Sequence, residues 1–146
     1  MTDIPTRAHP ADEQARRCPC GTGDVLGECC APILRQDRRA ATAAQLMRSR
    51  FTAFATGDLE HLLRSWHPST VPSRAELAES LSADTRWLRL DVLDATGGGP
   101  FDSAGTVEFT AIGRTAHGRF TMHEVSRFVR EAGGWLYVDG EVDATN

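Results

Sequence analysis

The hydrophobic period of the chain changes once, near residue 85, from about 3.6 to about 2, dividing it into a helical and a stranded half. Met47, Phe51 and Phe54 recur at i, i+4 and i+7, spacing that lines one face of a helix. Thr42 and Gln45 open that helix as a T-x-x-Q capping box, and Gly57 supplies the residue that stops it. Asp58 caps a second helix whose apolar face is Leu59, Leu62, Leu63 and Trp66, ending at His67 ahead of Pro68. Ser73 and Glu76 form another capping box, which predicts a shorter third helix through Leu77, Ala78 and Leu81.

Beyond Asp84 the apolar residues alternate. Leu88, Leu90 and Val92 fall on one side of a strand over 87–93, and further strands are expected over 106–112, 120–129 and 135–138. Glu131-Ala132-Gly133-Gly134 is the hairpin between the last two. The run Gly97-Gly98-Gly99 lacks the strand-to-helix setting of a phosphate loop and reads as a turn. Three helices followed by four strands predict an α+β fold, with the helices packed on one face of a curved antiparallel sheet. Such a cone has a pocket at its mouth, lined by inward strand residues and the first helix.

Before the helical half lies a cysteine cluster. Cys18, Cys20, Cys29 and Cys30 are the only cysteines of the 146-residue chain. Thiolates bind metal, and zinc prefers four soft ligands at tetrahedral corners, so the cluster reads as one closed structural Zn²⁺ site. Four thiolates leave no open position for water, which argues against a catalytic metal. The alternative is two disulfides, with Cys29 and Cys30 each reaching back to Cys18 or Cys20. Pro19 stiffens the loop, while Gly21 and Gly23 permit the left-handed turns that wrap an ion. The chain therefore divides into a flexible lead over 1–17, a zinc knuckle over 18–34, a solvated connector and a main domain over 40–146.

Charge and composition narrow the function. The formal net charge of −4 disfavours a nucleic-acid partner, which needs a basic face. No stretch approaches the ~20 apolar residues of a membrane span. The first seventeen residues carry no apolar signal region, so the cytoplasm is the expected address.

Several side chains could line the pocket. Arg50 sits on the apolar stripe of the first helix, where a charge needs a partner or a wet cavity. An ion pair with Glu108, Glu124 or Asp139 is the expectation, and anion binding in the pocket the alternative. His123 and Glu124 are neighbours on a strand and point to opposite faces. Glu124 shares its face with Met122, Ser126 and Phe128, the better interior, where a carboxylate could act as a general base or hold an arginine. His67 is expected to cap the second helix. Trp66 and Trp135 shape the walls, Trp87 belongs to core or rim, and an inward Asp139 would complete a pocket with Arg50.

Taken together, Cys-Pro-Cys-Gly-Thr-Gly followed by Cys29-Cys30 resembles the SEC-C zinc motif. The stretches 43–54, Trp66-His67-Pro68-Ser69, His123-Glu124 through Phe128, and Trp135 to Gly140 resemble the YchJ-like family of bacterial proteins. The resemblance implies a SEC-C knuckle joined to a nuclear transport factor 2-like (NTF2-like) cone, and implies no reaction. SEC-C knuckles that bind chaperones or ribosomes carry lysines between their cysteine pairs, whereas this one reads Asp24-Val25-Leu26-Gly27-Glu28. An acidic partner would be repelled. A second SEC-C motif, carried by many relatives at their C-terminus, is not expected to contribute here.

Two functional readings follow. One is a cytoplasmic zinc-binding accessory protein whose knuckle supports folding or contacts a protein partner. The other is a small-molecule binder or enzyme, of isomerase, hydratase or hydrolase type, working in the cone with Arg50 and Glu124. Cones of this kind also pair through the outer face of the sheet, which makes a homodimer the oligomer to expect.

Overall fold

The computed structural model describes residues 15–145. A 3₁₀ turn at Leu26–Glu28 and a one-turn helix α1 (Ala31–Leu34) close the cysteine loop. Three helices follow: α2 (Ala43–Thr56), α3 (Leu59–Arg64) and α4 (Arg74–Ser82). Four strands, β1 (Arg86–Gly97), β2 (Ala104–Thr115), β3 (Gly118–Glu131) and β4 (Gly134–Thr145), form one antiparallel meander in chain order.

The caps act where the sequence puts them. Thr42 Oγ1 accepts from the Gln45 amide, and Asp58 accepts from His61. The Ser73–Glu76 box is complete in both directions. Gly57 ends α2 at φ 80°, a left-handed turn open to glycine. α3 stops short of the expected His67, because the Ser65 hydroxyl folds back onto the His61 carbonyl at 2.6 Å. His67 therefore caps no helix. Its Nδ1 lies 2.7 Å from Ser69 Oγ and its Nε2 2.9 Å from Glu131, fastening the following turn to the sheet.

Bulges decide which side chains face inward. In β1 the register slips between Trp87 and Arg89, so Trp87 takes the inner row and Leu88 is left 43% exposed. In β4 the register slips opposite Arg127 and Phe128: Tyr137 pairs with Phe128 and Asp139 with Arg127. Both slips increase local twist and curve the sheet around α2.

One hydrophobic core runs from the cysteine loop into the cone. Cys18, Cys20, Cys30 and Ile33 pack in the same cluster as Met47, Phe51, Leu90 and Phe109. A second cluster, centred on Ala53, Leu62 and Leu77, joins α2, α3 and α4. The knuckle is thus a wall of the domain rather than an appendage. Arg16 and Arg17, expected in the lead, belong to it as well: Arg17 bridges to Val25, and the Leu26 amide donates to the Arg16 carbonyl.

Between α2 and α3 lies a buried histidine. The Ser49 hydroxyl is spent on the Leu46 carbonyl, so the His61 ring 2.9 Å away donates from Nε2 to Ser49 Oγ. Burial, with Arg64 and Arg50 nearby, lowers its pKa from 6.5 to about 4 despite Asp58. The folded chain therefore holds a neutral imidazole that the unfolded chain protonates. Stability is full above about pH 6.5 and falls by about 3 kcal/mol as pH drops toward 4. Urea unfolding should show this slope in the wild type and a flatter one in His61→Gln. Equal slopes, or an NMR titration of His61 near its ordinary value, would refute this account.

Candidate functional site: a four-cysteine centre beside an aromatic cavity

The cysteine loop is built by backbone turns. The Cys18 amide donates to the Asp24 carbonyl at 2.9 Å, and the Gly21 amide to the Cys18 carbonyl at 3.2 Å. Gly21 and Gly23 take φ of 85° and 94°, conformations that side chains oppose. The 3₁₀ turn then brings back Cys29, whose amide donates to Leu26, and Cys30 starts α1.

All four sulfurs lie within 4.8 Å of one another and none is bridged. The Cys20 and Cys29 sulfurs stand 3.5 Å apart. A tetrahedral ion at about 2.3 Å from each sulfur needs edges of about 3.8 Å, so the residues fit one thiolate-bound metal ion. Hydrogen bonds from Cys18 and Cys30 hold the Cys20 thiol far below its ordinary value, while contacts with Cys18 and Cys20, and burial, push Cys30 far up. Burial pushes Cys29 up to about 11. A bound cation would favour the ionised form of all four neighbouring sulfurs.

Helix α2 holds the centre from behind. Arg48 Nη1 donates to the Cys20 carbonyl at 2.8 Å, and Thr52 Oγ1 lies 3.5 Å from Cys18 Sγ. From the connector, Arg38 donates to the Cys29 carbonyl at 3.0 Å. Outward, the Thr22 hydroxyl sits 3.2 Å from Cys29 Sγ.

The inner face of α2 lines a cavity of about 300 Å³ between the helices and the sheet. Its walls are apolar and aromatic, with Met47, Phe51, Trp87, Phe109 and Met122 among them. Its polar end gathers Arg50, Trp66, Glu124, Ser126 and Tyr137. The Arg50 guanidinium, 3% exposed, donates from Nη1 to the Leu62 carbonyl at 3.1 Å and to Ser65 Oγ at 2.7 Å. It lies over the rings of Trp66 and Tyr137, 4.7 and 4.5 Å from their centroids. Burial lowers its pKa to about 10, partly offset by Tyr137 and Glu124, so it stays charged at neutral pH. Glu124 Oε2 accepts from the Ser126 and Tyr137 hydroxyls. Burial and the Glu124 carboxylate in turn raise the Tyr137 phenol above its ordinary value. A Cβ at Gly140, paired with Ser126, would strike that carboxylate, so the site requires glycine there. Trp66 Nε1 is buried with no partner among the described residues.

The sequence-derived candidates therefore separate. Arg50, Trp66 and Glu124 converge on the cavity, while Glu108, His123 and Asp139 do not. Glu108 and His123 meet on the outer face of the sheet at 2.7 Å, with Asp143 at 3.9 Å. Asp139 pairs outside with Arg127, turned outward by the β4 slip. Trp135 is buried at the far end of the sheet, its Nε1 donating to the Ala41 carbonyl at 3.2 Å. The expected ion pair of Arg50 with Glu108, Glu124 or Asp139 does not form: the guanidinium is held by a carbonyl, a hydroxyl and two rings. Reading the sequence missed Tyr137 and Ser65 as site residues. Tyr137 is the only tyrosine, and its alternation with Trp135 marked its face.

No helix of the described residues is long and apolar enough to cross a membrane. The family model for the YchJ middle NTF2-like domain matches residues 42–140. A UPF0225 protein of Ralstonia nicotianae is 47% identical over 94% of this chain and 99% of its own length. The solution structure of a SEC-C motif containing protein from Rhodopseudomonas palustris superposes with a TM-score of 0.74 at 32% identity, covering 85% of this chain and 96% of that one. The crystal structure of a SEC-C motif containing protein from Psychrobacter arcticus gives 0.75 at 25% identity, over 92% and 86% of the two chains. With its four-cysteine loop fused to a cone of this matched architecture, the chain belongs to the YchJ-like UPF0225 family.

Proposed function

We propose that the chain is a zinc-binding accessory protein of the cytoplasm in which the ion is structural. The observation that carries this reading is the cluster itself: four unbridged sulfurs within 4.8 Å, three of them buried in the domain core. Zinc tolerates such a soft tetrahedral set, and saturation by four thiolates leaves it no water to activate. Free thiols in this number suit a reducing compartment. The exposed turn over 21–24 with Glu28 is surface available to a protein partner, where Asp24 and Glu28 stand beside the exposed Arg17 and Arg38.

A second reading concerns the cone. Arg50 and Glu124 both line an aromatic cavity instead of neutralising each other in a closed core, which supports a small-molecule binding site. Among the described residues no cysteine or histidine borders that cavity, so binding is better supported than covalent or histidine-based catalysis.

Native mass spectrometry of protein purified without added metal should find one zinc per chain. Zinc-free protein with two disulfides would overturn the metal reading. Because the cluster is continuous with the core, chelation or Cys20→Ser should raise amide exchange in α2 and β1 as well as over 16–34. Exchange confined to 16–34 would show the knuckle to be independent of the core. Arg48→Met, which removes the donor to the Cys20 carbonyl, should cost about 1–2 kcal/mol and speed zinc loss. Unchanged zinc release would remove Arg48 from that role.

A further inference from the structure

The cavity contains two charged side chains that use only part of their hydrogen-bonding capacity within the protein. Arg50 commits Nη1 to Leu62 and Ser65, while its Nε–H and Nη2–H groups meet no acceptor among the described residues. Glu124 receives both of its donors, the Ser126 and Tyr137 hydroxyls, on Oε2, and Oε1 receives none. The two side chains do not form an ion pair. Among the described residues, Trp66 Nε1 is the one fully buried side-chain polar atom without a partner. The open groups of Arg50 and Glu124 are therefore not sealed in the core. They border open space, and the space both residues line is the cavity.

Charge selects among ligands. One guanidinium and one carboxylate face the same small volume, so an anion that gains from Arg50 loses against Glu124. A cation meets the reverse. A neutral group that accepts from one and donates to the other satisfies both without bringing a buried charge of its own. The remaining wall is aromatic and thioether. Phe51 and Trp87 both line it and meet edge-on at 6.0 Å, and Phe109 adds a third ring, a wall that favours a flat apolar body. The volume of about 300 Å³ sits at the small end of ligand sites, room for one or two rings.

We propose that the cone binds a neutral, planar one- or two-ring compound presenting a carbonyl acceptor beside an N–H donor, the pattern of a cyclic amide. Its carbonyl takes the open N–H groups of Arg50, and its N–H donates to Glu124 Oε1. Arg50 keeps its bonds to Leu62 and Ser65, which fix the guanidinium before ligand arrives. This assignment rests on the reading of the cavity as a binding site, and deepens it by naming the ligand chemistry.

Three bicyclic probes of similar size test it: 2-quinolone, a neutral lactam; naphthalene, which has no polar group; and 2-naphthoate, an anion. Binding is read from the methyl resonances of Met47 and Met122 in the zinc-loaded full chain. The lactam should shift both methyls saturably and bind roughly tenfold or more tightly than either other probe. Glu124→Gln should weaken the lactam by a similar factor while leaving naphthalene unchanged. Ala111→Leu, which narrows the cavity without touching the polar pair, should abolish lactam binding while the amide spectrum stays dispersed. Tighter binding of 2-naphthoate, or equal binding of naphthalene, would overturn the ligand class and leave the cavity as a binding site of another chemistry. An unaltered affinity in Glu124→Gln would likewise overturn the class. Lactam binding that survives Ala111→Leu would place the probe elsewhere. Methyls unmoved by all three probes would overturn the cavity reading together with the class.

Discussion

Four sulfurs packed against one another inside a hydrophobic core pose an electrostatic problem that the rest of this molecule is arranged around. Ionised together they would carry four negative charges in a medium that solvates charge poorly. Left protonated, they are weak donors and acceptors that hold a loop with little force. A thiolate-bound divalent ion would cancel two of those four charges and fix the geometry at once. Cys18, Cys20 and Cys30 share their core with Met47, Phe51 and Phe109, so whatever orders the sulfurs also orders the back of the cone.

Helix α2 transmits that order, because its faces serve different neighbours. Arg48 and Thr52 address the cysteine loop. Met47, Arg50 and Phe51 address the cavity, and Ser49 contacts the His61 ring of α3. At 3.6 residues per turn, positions 47 to 52 span little more than one turn, yet they contact all of these elements. A shift of the knuckle would therefore move the guanidinium in the cavity.

That guanidinium is stabilised without an opposite charge in contact. Burying an arginine is costly, and here a carbonyl, a hydroxyl and two aromatic faces offset the cost. Such an arrangement leaves the free edge of Arg50 available, whereas a two-pronged carboxylate would have occupied it. The outer face of the sheet follows the opposite economy. Its pairs, Glu108 with His123 and Arg127 with Asp139, are solvent-facing and contribute little to stability.

The sequence by itself determined the elements and the four-cysteine cluster. Caps at Thr42, Asp58 and Ser73, the switch of period near residue 85 and the spacing of four cysteines are local signals, each decided by atoms a few residues apart. The facing of Arg50 and Glu124 into the interior followed from helical and strand periodicity in the same way. What only the tertiary structure decided were the places where periodicity breaks. Alternation from Tyr137 would have put Asp139 inside, and alternation from Leu90 would have put Leu88 inside. A one-residue slip in each strand reversed both, and such slips arise from how a sheet must curve around α2 rather than from any residue's own preference. The partners of Arg50 were hidden for a related reason. Ser65 and the Leu62 carbonyl are presented by α3, and no local pattern in the chain encodes the crossing of two helices.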